Sequence, residues 1–126
     1  MTKKLSIIIP CYNEESTISQ IINKITEIVS FPYEIIVIDD CSTDKTRSIL
    51  ENDLNSKITK LILNPINSGK GYSLRQGIKE ASGEIILIQD ADLEYDPNDY
   101  KKLIEPINNG YADVVYGSRF TGAEHK

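Results

Sequence analysis

Short runs of apolar residues alternate along the chain with longer segments in which apolar residues recur every three or four positions. The short runs are rich in Ile, Leu and Val, and they predict buried β-strands at 5–9, 34–38, 59–63, 84–89 and 114–116. The longer segments predict amphipathic helices at about 14–29, from 42 or 44 to 52, from the 67–71 loop to 81, and at 97–109.

Polar residues at the start of these segments are predicted to cap the helices. Asn13 is the expected N-cap of the first helix, and Ser42 or Asp44 that of the second. Asp96, with Pro97 directly after it, is the expected N-cap of the last helix.

This alternation predicts an α/β fold: one open, mostly parallel, Rossmann-like sheet with helices on both faces. The 126 residues suit a single domain spanning 1–126. In open sheets of this kind ligands bind beyond the carboxyl ends of the strands, where the strand order reverses. The polar clusters of the chain directly follow the predicted strands, so one rim should gather them, at 10–15, 39–44, 64–71, 90–96 and 117–119.

Asp90-Ala91-Asp92, at the end of the fourth predicted strand, favours a metal site. Residues two apart in an extended stretch point the same way, so both carboxylates can face one site, where they either share an ion or bind an ion and a sugar hydroxyl between them. Two adjacent anions are unfavourable without a cation, and carboxylate oxygens suit Mg²⁺ or Mn²⁺. Glu94 extends the acidic cluster. A solvated loop is the alternative, whereas an EF-hand is excluded because Tyr95 and Lys101 replace its Gly and Glu.

Two further loops on the same rim are candidates for contacts with a nucleotide. Asp39 or Asp40 is suited to accept hydrogen bonds from a base or a ribose, and an ordinary turn is the alternative. Gly69-Lys70-Gly71 departs from the P-loop pattern, which disfavours ATPase or GTPase chemistry. Lys70 at a helix start is nevertheless suited to meet a phosphate or a sugar, with a plain turn as the alternative.

Composition narrows the function further. A net charge of −5 argues against nucleic-acid binding, and no apolar run is long enough to span a membrane, so a cytoplasmic protein is expected. Cys11 and Cys41 are expected to be reduced thiols. The loop 10–15 has no glycine, which disfavours NAD or FAD.

In their order and spacing, five segments resemble the family 2 glycosyltransferases, which have the GT-A fold. The segments are Ile7–Glu15, Val37–Asp44, Asn67–Gly71, Gln89–Glu94 and Val114–Phe120. Within that family, Asp90–Leu93 and Gly117–Phe120 are most similar to the dolichyl- or polyprenyl-phosphate sugar synthases. Related enzymes continue well beyond the position of Arg119, so the resemblance implies the N-terminal catalytic part of a longer protein.

The resemblance also implies roles for individual residues. Pro10, Tyr12, Glu14 and either Asp39 or Asp40 would hold a UDP- or GDP-hexose donor. Asp90, Asp92 and Glu94 would surround the divalent ion, although this group commonly has Gln at the last position. Arg119 would meet the phosphate of a lipid acceptor, so Asp90, Asp92 and Arg119 are the predicted catalytic residues.

The chemistry of a lipid-phosphate acceptor agrees with these residue types. A phosphate monoester has a second pKa of about 6 and attacks the sugar without a general base, whereas a sugar hydroxyl would need one. The expected function is therefore inverting, metal-dependent transfer of a hexose to a polyprenyl or dolichyl phosphate. Membrane contact would be peripheral, at the inner face, or through segments outside this chain. The alternatives are a family 2 enzyme acting on a sugar hydroxyl and a nucleotide-sugar-binding module without activity.

Overall fold

The computed structural model describes residues 4–30, 32–91 and 114–116. Within them one parallel sheet has the strand order β3-β2-β1-β4-β5. Its strands are β1 (Leu5–Cys11), β2 (Tyr33–Asp39), β3 (Lys60–Leu63), β4 (Ile85–Ile88) and β5 (Val114–Tyr116). The predicted α/β fold is confirmed, with a strand at each of the five predicted places.

The strand order reverses next to β1. The chain adds β2 and then β3 on one side of β1, and places β4 and then β5 on the other side. In open parallel sheets, the point where the strand order reverses forms a crevice that binds ligands. The polar residues that follow β1 and β4 lie at this crevice, as the sequence pattern predicts.

The described connections contain three helices, α1 (Ile18–Ile28), α2 (Thr46–Ser48) and α3 (Lys70–Glu80). α2 continues as a π-helical turn over Ile49–Asp53, and a 3₁₀ turn follows at Asn55–Lys57. None of the helices within the described ranges has the length and apolar character needed to cross a bilayer. The predicted helix at 97–109, with Asp96 as its N-cap, lies outside the described residues.

The first helix begins later than predicted, and its predicted cap was wrong. Thr17, not Asn13, is the N-cap residue of α1. Asn13 has a φ of 53°, and its side chain binds the loop after β2. Long-range hydrogen bonds therefore override the local capping preference of Asn.

The predicted caps of the second helix were also wrong, because Lys45 is the N-cap residue of α2. Asp44 nevertheless accepts a hydrogen bond from the backbone N of Thr46 at 2.8 Å. It supports the helix start from one position before the cap.

Alternate residues of the strands pack against helices on opposite faces, which confirms the two-sided covering. Ile7 and Ile9 belong to a core cluster that includes the buried side of α1 and Leu50, whereas Ile8 packs with Ile36, Ile38 and Ile88 on the other face. Burying each of these side chains contributes about 1.5–3 kcal/mol. Gly77 brings α3 close to the second face, since a Cβ there would come within 2.5 Å of Ile8 Cγ2.

Candidate functional site

A cavity of about 220 Å³ lies at the carboxyl ends of the strands, next to the point where the strand order reverses. The end of β1, the residues that follow β1, β2 and β4, and the first turn of α3 form its wall. They are Pro10, Cys11, Tyr12, Glu14, Asp40, Lys70, Ser73, Asp90 and Ala91. The structure thus brings together six of the predicted site residues, namely Pro10, Tyr12, Glu14, Asp40, Lys70 and Asp90. Three others, Asp92, Glu94 and Arg119, lie outside the described residues.

Asp39 and Asp40 are adjacent in sequence, but their side chains have different surroundings. Asp39 is fully buried and does not line the cavity. Its carboxylate accepts hydrogen bonds from Ser42 Oγ at 2.6 Å and Arg47 Nε at 3.1 Å. Arg47 also donates to the carbonyl of Asn64 at 3.1 Å. Asp39 therefore joins β2 to α2 and to the end of β3.

The Asp40 carboxylate lies on the wall of the cavity and organises the entry to α3. It accepts hydrogen bonds from the backbone N of Ser68 and of Gly69, both at 2.8 Å, and from Asn64 Nδ2 at 2.9 Å. Burial raises the pKa of Asp40, but these three hydrogen bonds outweigh burial and hold the pKa below its ordinary value. Asp40 is therefore a carboxylate at neutral pH.

Asn64 was missed as a site residue in the sequence, although it lies in a predicted polar cluster. Its side chain is buried and donates to both Asp40 and Ser73, the latter at 3.1 Å. Ser73 in turn lines the cavity from α3. Only the position of Asn64 directly after a strand could have indicated this role.

The loops after β1 and β2 bind each other and form one unit, here called the loop pair (residues 12–15 and 42–46). Asn13 Oδ1 accepts hydrogen bonds from the backbone N of Thr43 at 2.8 Å and of Asp44 at 3.2 Å. In return, the backbone N of Asn13 donates to Ser42 Oγ at 2.9 Å. The φ of 53° at Asn13 suits a residue type that tolerates the left-handed region better than most.

A second set of bonds closes the loop pair further along both segments. The backbone N of Glu14 donates to Thr46 Oγ1 at 2.8 Å, and the backbone N of Lys45 donates to Glu15 Oε1 at 2.8 Å. Burial raises the pKa of Asp44, but hydrogen bonds from Thr46 and Glu15 outweigh burial and lower it. The loop pair thereby fixes the backbone that carries Tyr12 and Glu14 into the cavity.

Lys70 and Asp90 form an ion pair across the cavity. Lys70 Nζ lies 2.6 Å from Asp90 Oδ1, and the side chains are 42% and 8% exposed, respectively. Lys70 is the first residue of α3, and Asp90 follows β4. The pairing, twenty residues apart in sequence, was not predicted. The backbone N–H groups of Ser68 and Gly69, directly before α3, already bind Asp40.

Asp90 is the one predicted metal ligand that lies among the described residues. Within these residues, no three His, Cys, Asp or Glu side chains are grouped so that they could bind a metal ion. Asp90 nevertheless suits a hard divalent cation, because its oxygens line the cavity and already meet a positive charge. Thr17 Oγ1 donates to the carbonyl of Ala91, which ties the residue after Asp90 to the start of α1.

The two cysteines are free thiols with different surroundings. Cys11 is buried at the cavity, and burial together with the negative charge of Asp39 raises the pKa of its thiol. Cys41 is half-buried, with a φ of 63°, and its thiol lies 3.5 Å from the carbonyl of Pro65. Cys11 is therefore a neutral, buried thiol and not a nucleophile.

Comparison with known proteins agrees with the sequence resemblance. The sequence profile of Glycosyl transferase family 2 matches residues 6–125. The dolichol-phosphate mannosyltransferase of Pyrococcus furiosus is 39% identical over 119 residues, which is 93% of this chain and 33% of that protein. The chain therefore spans about a third of the length of this curated relative.

Two solved structures share the fold. The crystal structure of S. aureus TarS in complex with UDP-GlcNAc is 33% identical, with a TM-score of 0.73 over 87% of this chain and 32% of that one. A mannosyltransferase from Pyrobaculum calidifontis, in complex with GDP-Man and Mn²⁺, is 30% identical, with a TM-score of 0.66 over 73% of this chain and 28% of that one.

Proposed function

The chain belongs to glycosyl transferase family 2, and we propose that it is the donor-binding part of an enzyme that transfers a hexose from a nucleotide-diphosphate sugar to a polyprenyl phosphate. The observation that carries the proposal is the cavity beside β1, where Tyr12, Asp40, Lys70 and Asp90 meet. The relative from P. furiosus is named for transfer involving dolichol phosphate, and the two solved structures hold nucleotide sugars.

The cavity offers separate surfaces for the parts of such a donor. Pro10 and the half-exposed ring of Tyr12 provide apolar walls for a base or ribose. We assign the polar contact with the nucleoside to Asp40, because Asp40 lines the cavity and Asp39 is enclosed by Ser42 and Arg47. Glu14, carried by the loop pair, is assigned to the same part of the donor.

The diphosphate would lie between Lys70 and Asp90. Lys70 offers an ammonium group to the phosphate oxygens. A divalent ion would be held by Asp90 and by the predicted ligands Asp92 and Glu94. This ion would offset the charge that develops on the departing nucleoside diphosphate. The mannosyltransferase from P. calidifontis holds Mn²⁺ with its donor; for this chain we propose Mg²⁺ or Mn²⁺.

The acceptor phosphate would attack the anomeric carbon directly from the side opposite the leaving group, which inverts the anomeric configuration. A phosphate dianion needs a cation to position it and no general base, and Arg119 stays the predicted cation. A cytoplasmic location at the inner face of a membrane also stays a prediction.

Calorimetric titration with UDP-glucose and with GDP-mannose tests the donor site, each in Mn²⁺, in Mg²⁺ and in EDTA. We expect one donor to bind, and only with a divalent ion. Binding by neither donor, or equal binding in EDTA, would contradict the proposed site.

The acceptor needs a separate assay, in which the preferred donor is offered with undecaprenyl phosphate or with a free sugar. Labelled product on the lipid phosphate is the expected result. Product on the sugar alone would assign the chain to hydroxyl acceptors. Donor binding without any product would make the chain a binding module.

A further inference from the structure

The ion pair between Lys70 and Asp90 places a cation where the proposed divalent ion has to bind. Lys70 Nζ lies 2.6 Å from Asp90 Oδ1, within direct hydrogen-bonding distance of an oxygen that would ligate the ion. A divalent ion and an ammonium group repel each other at such a distance, so both cannot occupy this oxygen. Metal binding at Asp90 Oδ1, or by both oxygens of Asp90, therefore requires Lys70 to leave.

The side chain of Lys70 is free to move away from this contact, whereas that of Asp90 is held in place. The side chain of Asp90 is 8% exposed, two residues after the end of β4, and the backbone carbonyl of Asp90 accepts a hydrogen bond from Gln89 Nε2. Lys70 is 42% exposed, and its four-carbon side chain reaches the carboxylate from the first residue of α3. A change of rotamer moves the ammonium group without moving the backbone.

The charges of the cavity favour this arrangement in the absence of ligand. Glu14, Asp40 and Asp90 are the acids on its described wall, and Lys70 is the only base there. A nucleoside diphosphate adds further negative charge and offers the ammonium group a new partner. Once Lys70 binds the diphosphate, Asp90 is available for the metal ion.

We propose that Lys70 is a tethered counterion that competes with the divalent ion for Asp90 and is released from it by the nucleotide diphosphate. This inference rests on the proposed function, because it takes the metal and donor sites as given. Lys70 would weaken metal binding in the nucleotide-free protein and would make metal and nucleotide bind cooperatively. By linkage, each of the two ligands then raises the affinity for the other by the same factor.

Titration of the nucleotide-free chain with Mn²⁺ tests the competition, with free Mn²⁺ followed by its electron paramagnetic resonance signal. Lys70→Met removes the ammonium group and keeps an unbranched side chain of similar length. We expect Mn²⁺ to bind this variant at least about fivefold more tightly than wild type, the low end of typical coupling between sites. Lys70→Arg keeps the positive charge and should bind Mn²⁺ as weakly as wild type.

Two controls separate the competition from a general effect of charge. Lys79→Met removes an exposed positive charge from the other end of the same helix and should leave Mn²⁺ affinity unchanged. Asp90→Asn in the Lys70→Met background should abolish the gain. Equal Mn²⁺ affinity of Lys70→Met and wild type, including no binding by either, would overturn the inference, as would an equal gain in Lys79→Met.

Repeating the titrations with UDP or GDP present measures the cooperativity, after correction for the metal–nucleotide complex in solution. The factor by which nucleotide raises Mn²⁺ affinity should fall at least about fivefold in Lys70→Met. An unchanged factor would overturn the release step. Failure of the proposed function is a different result, namely no metal-dependent binding of either nucleotide by wild type.

Discussion

Both ends of the sheet bury a carboxylate under several hydrogen bonds, yet only the carboxyl end gathers a site. At the amino end, Glu34 accepts hydrogen bonds from Ser6 Oγ at 2.6 Å and the backbone N of Ser82 at 2.7 Å, and Lys4 Nζ lies 3.7 Å away. At the carboxyl end, Asp40 is bonded as fully, but it lines a cavity that it shares with Lys70.

The difference lies in what surrounds each carboxylate. The groups around Glu34 connect the starts of three segments of chain, since Ser6 Oγ also accepts a hydrogen bond from the backbone N of Gly83 at 2.7 Å. Asp40 and Asp90 instead face a space that another molecule can fill. A buried, hydrogen-bonded carboxylate is therefore insufficient evidence for a site, and the cavity lined by charged groups is what distinguishes the candidate site at the carboxyl end.

Asp90→Asn should have the largest effect, and it should alter binding without altering stability. Loss of groups that only support a metal ligand costs 10–100-fold, so loss of a ligand should weaken metal-dependent donor binding at least about a hundredfold, or about 2.7 kcal/mol. Calorimetry measures the affinity and thermal unfolding the stability. Asp53→Asn, on an exposed turn, is the matched control. If Asp90→Asn binds the donor as tightly as wild type does, the proposed metal site does not include Asp90.

Gly83→Ala, at the amino end, should lower the stability without altering donor binding. A Cβ at this position would come within 2.6 Å of Ser6 Oγ and 2.8 Å of the carbonyl of Lys4, and backbone atoms yield less readily than side chains. We expect about 2 kcal/mol of destabilisation by urea unfolding, as for other overpacked sites. The donor affinity of the folded variant should equal that of wild type. A weaker affinity would mean that the two ends are coupled.

Asn13→Gly should affect both stability and binding, because the loop pair is structural and also carries site residues. Glycine tolerates the φ of 53° but removes the acceptor for Thr43 and Asp44, at a cost of about 1.5 kcal/mol in unfolding free energy. Donor affinity should fall about tenfold, as for loss of an outer supporting contact. Calorimetry measures this affinity. If Asn13→Gly binds the donor as tightly as wild type does, Tyr12 and Glu14 are positioned without the hydrogen bonds to Asn13.

Much of the carboxyl end could be predicted from the sequence, because strands and the polar residues after them are local patterns. The choice between Asp39 and Asp40 could not. In an extended chain Asp39 shares a face with Val37, toward α1 and Leu50, and Asp40 shares the opposite face with Ile38, toward α3. The choice therefore depends on which helix covers which face, and local pattern does not reveal that.

Contacts between distant segments account for the other differences. Asn13 has the sequence context of an N-cap, but its partners are 30 and 31 residues away. Lys70 has the context of a phosphate contact, and its partner in the structure is Asp90. In each case the residue type indicates the kind of bond that forms, and the tertiary fold determines the partner.

Glu34→Gln should have the smallest effect, and its pH dependence sharpens the comparison. Burial raises the pKa of Glu34, but hydrogen bonds from Ser6 and Ser82 and the charge of Lys4 outweigh burial and lower it. A lowered pKa stabilises the fold above the unfolded value of about 4.3, and this contribution is lost as the pH falls through the folded pKa. The free energy of unfolding of wild type should therefore exceed that of Glu34→Gln by about 1 kcal/mol at pH 7. The two free energies should converge at acidic pH.

Urea unfolding at pH 7 and at successive values below about pH 4.3 measures this convergence. Glu51→Gln, an exposed acid on the turn after α2, controls for the loss of one charge and should stay within about 0.5 kcal/mol of wild type at pH 7. Donor affinity should be unchanged in Glu34→Gln, because no group around Glu34 lines the cavity. If the difference in unfolding free energy between wild type and Glu34→Gln is the same at every pH, the Gln destabilises the fold only through poorer packing. The carboxylate of the amino end would then contribute no charge-dependent stability, and the likeness of the two ends would be limited to burial.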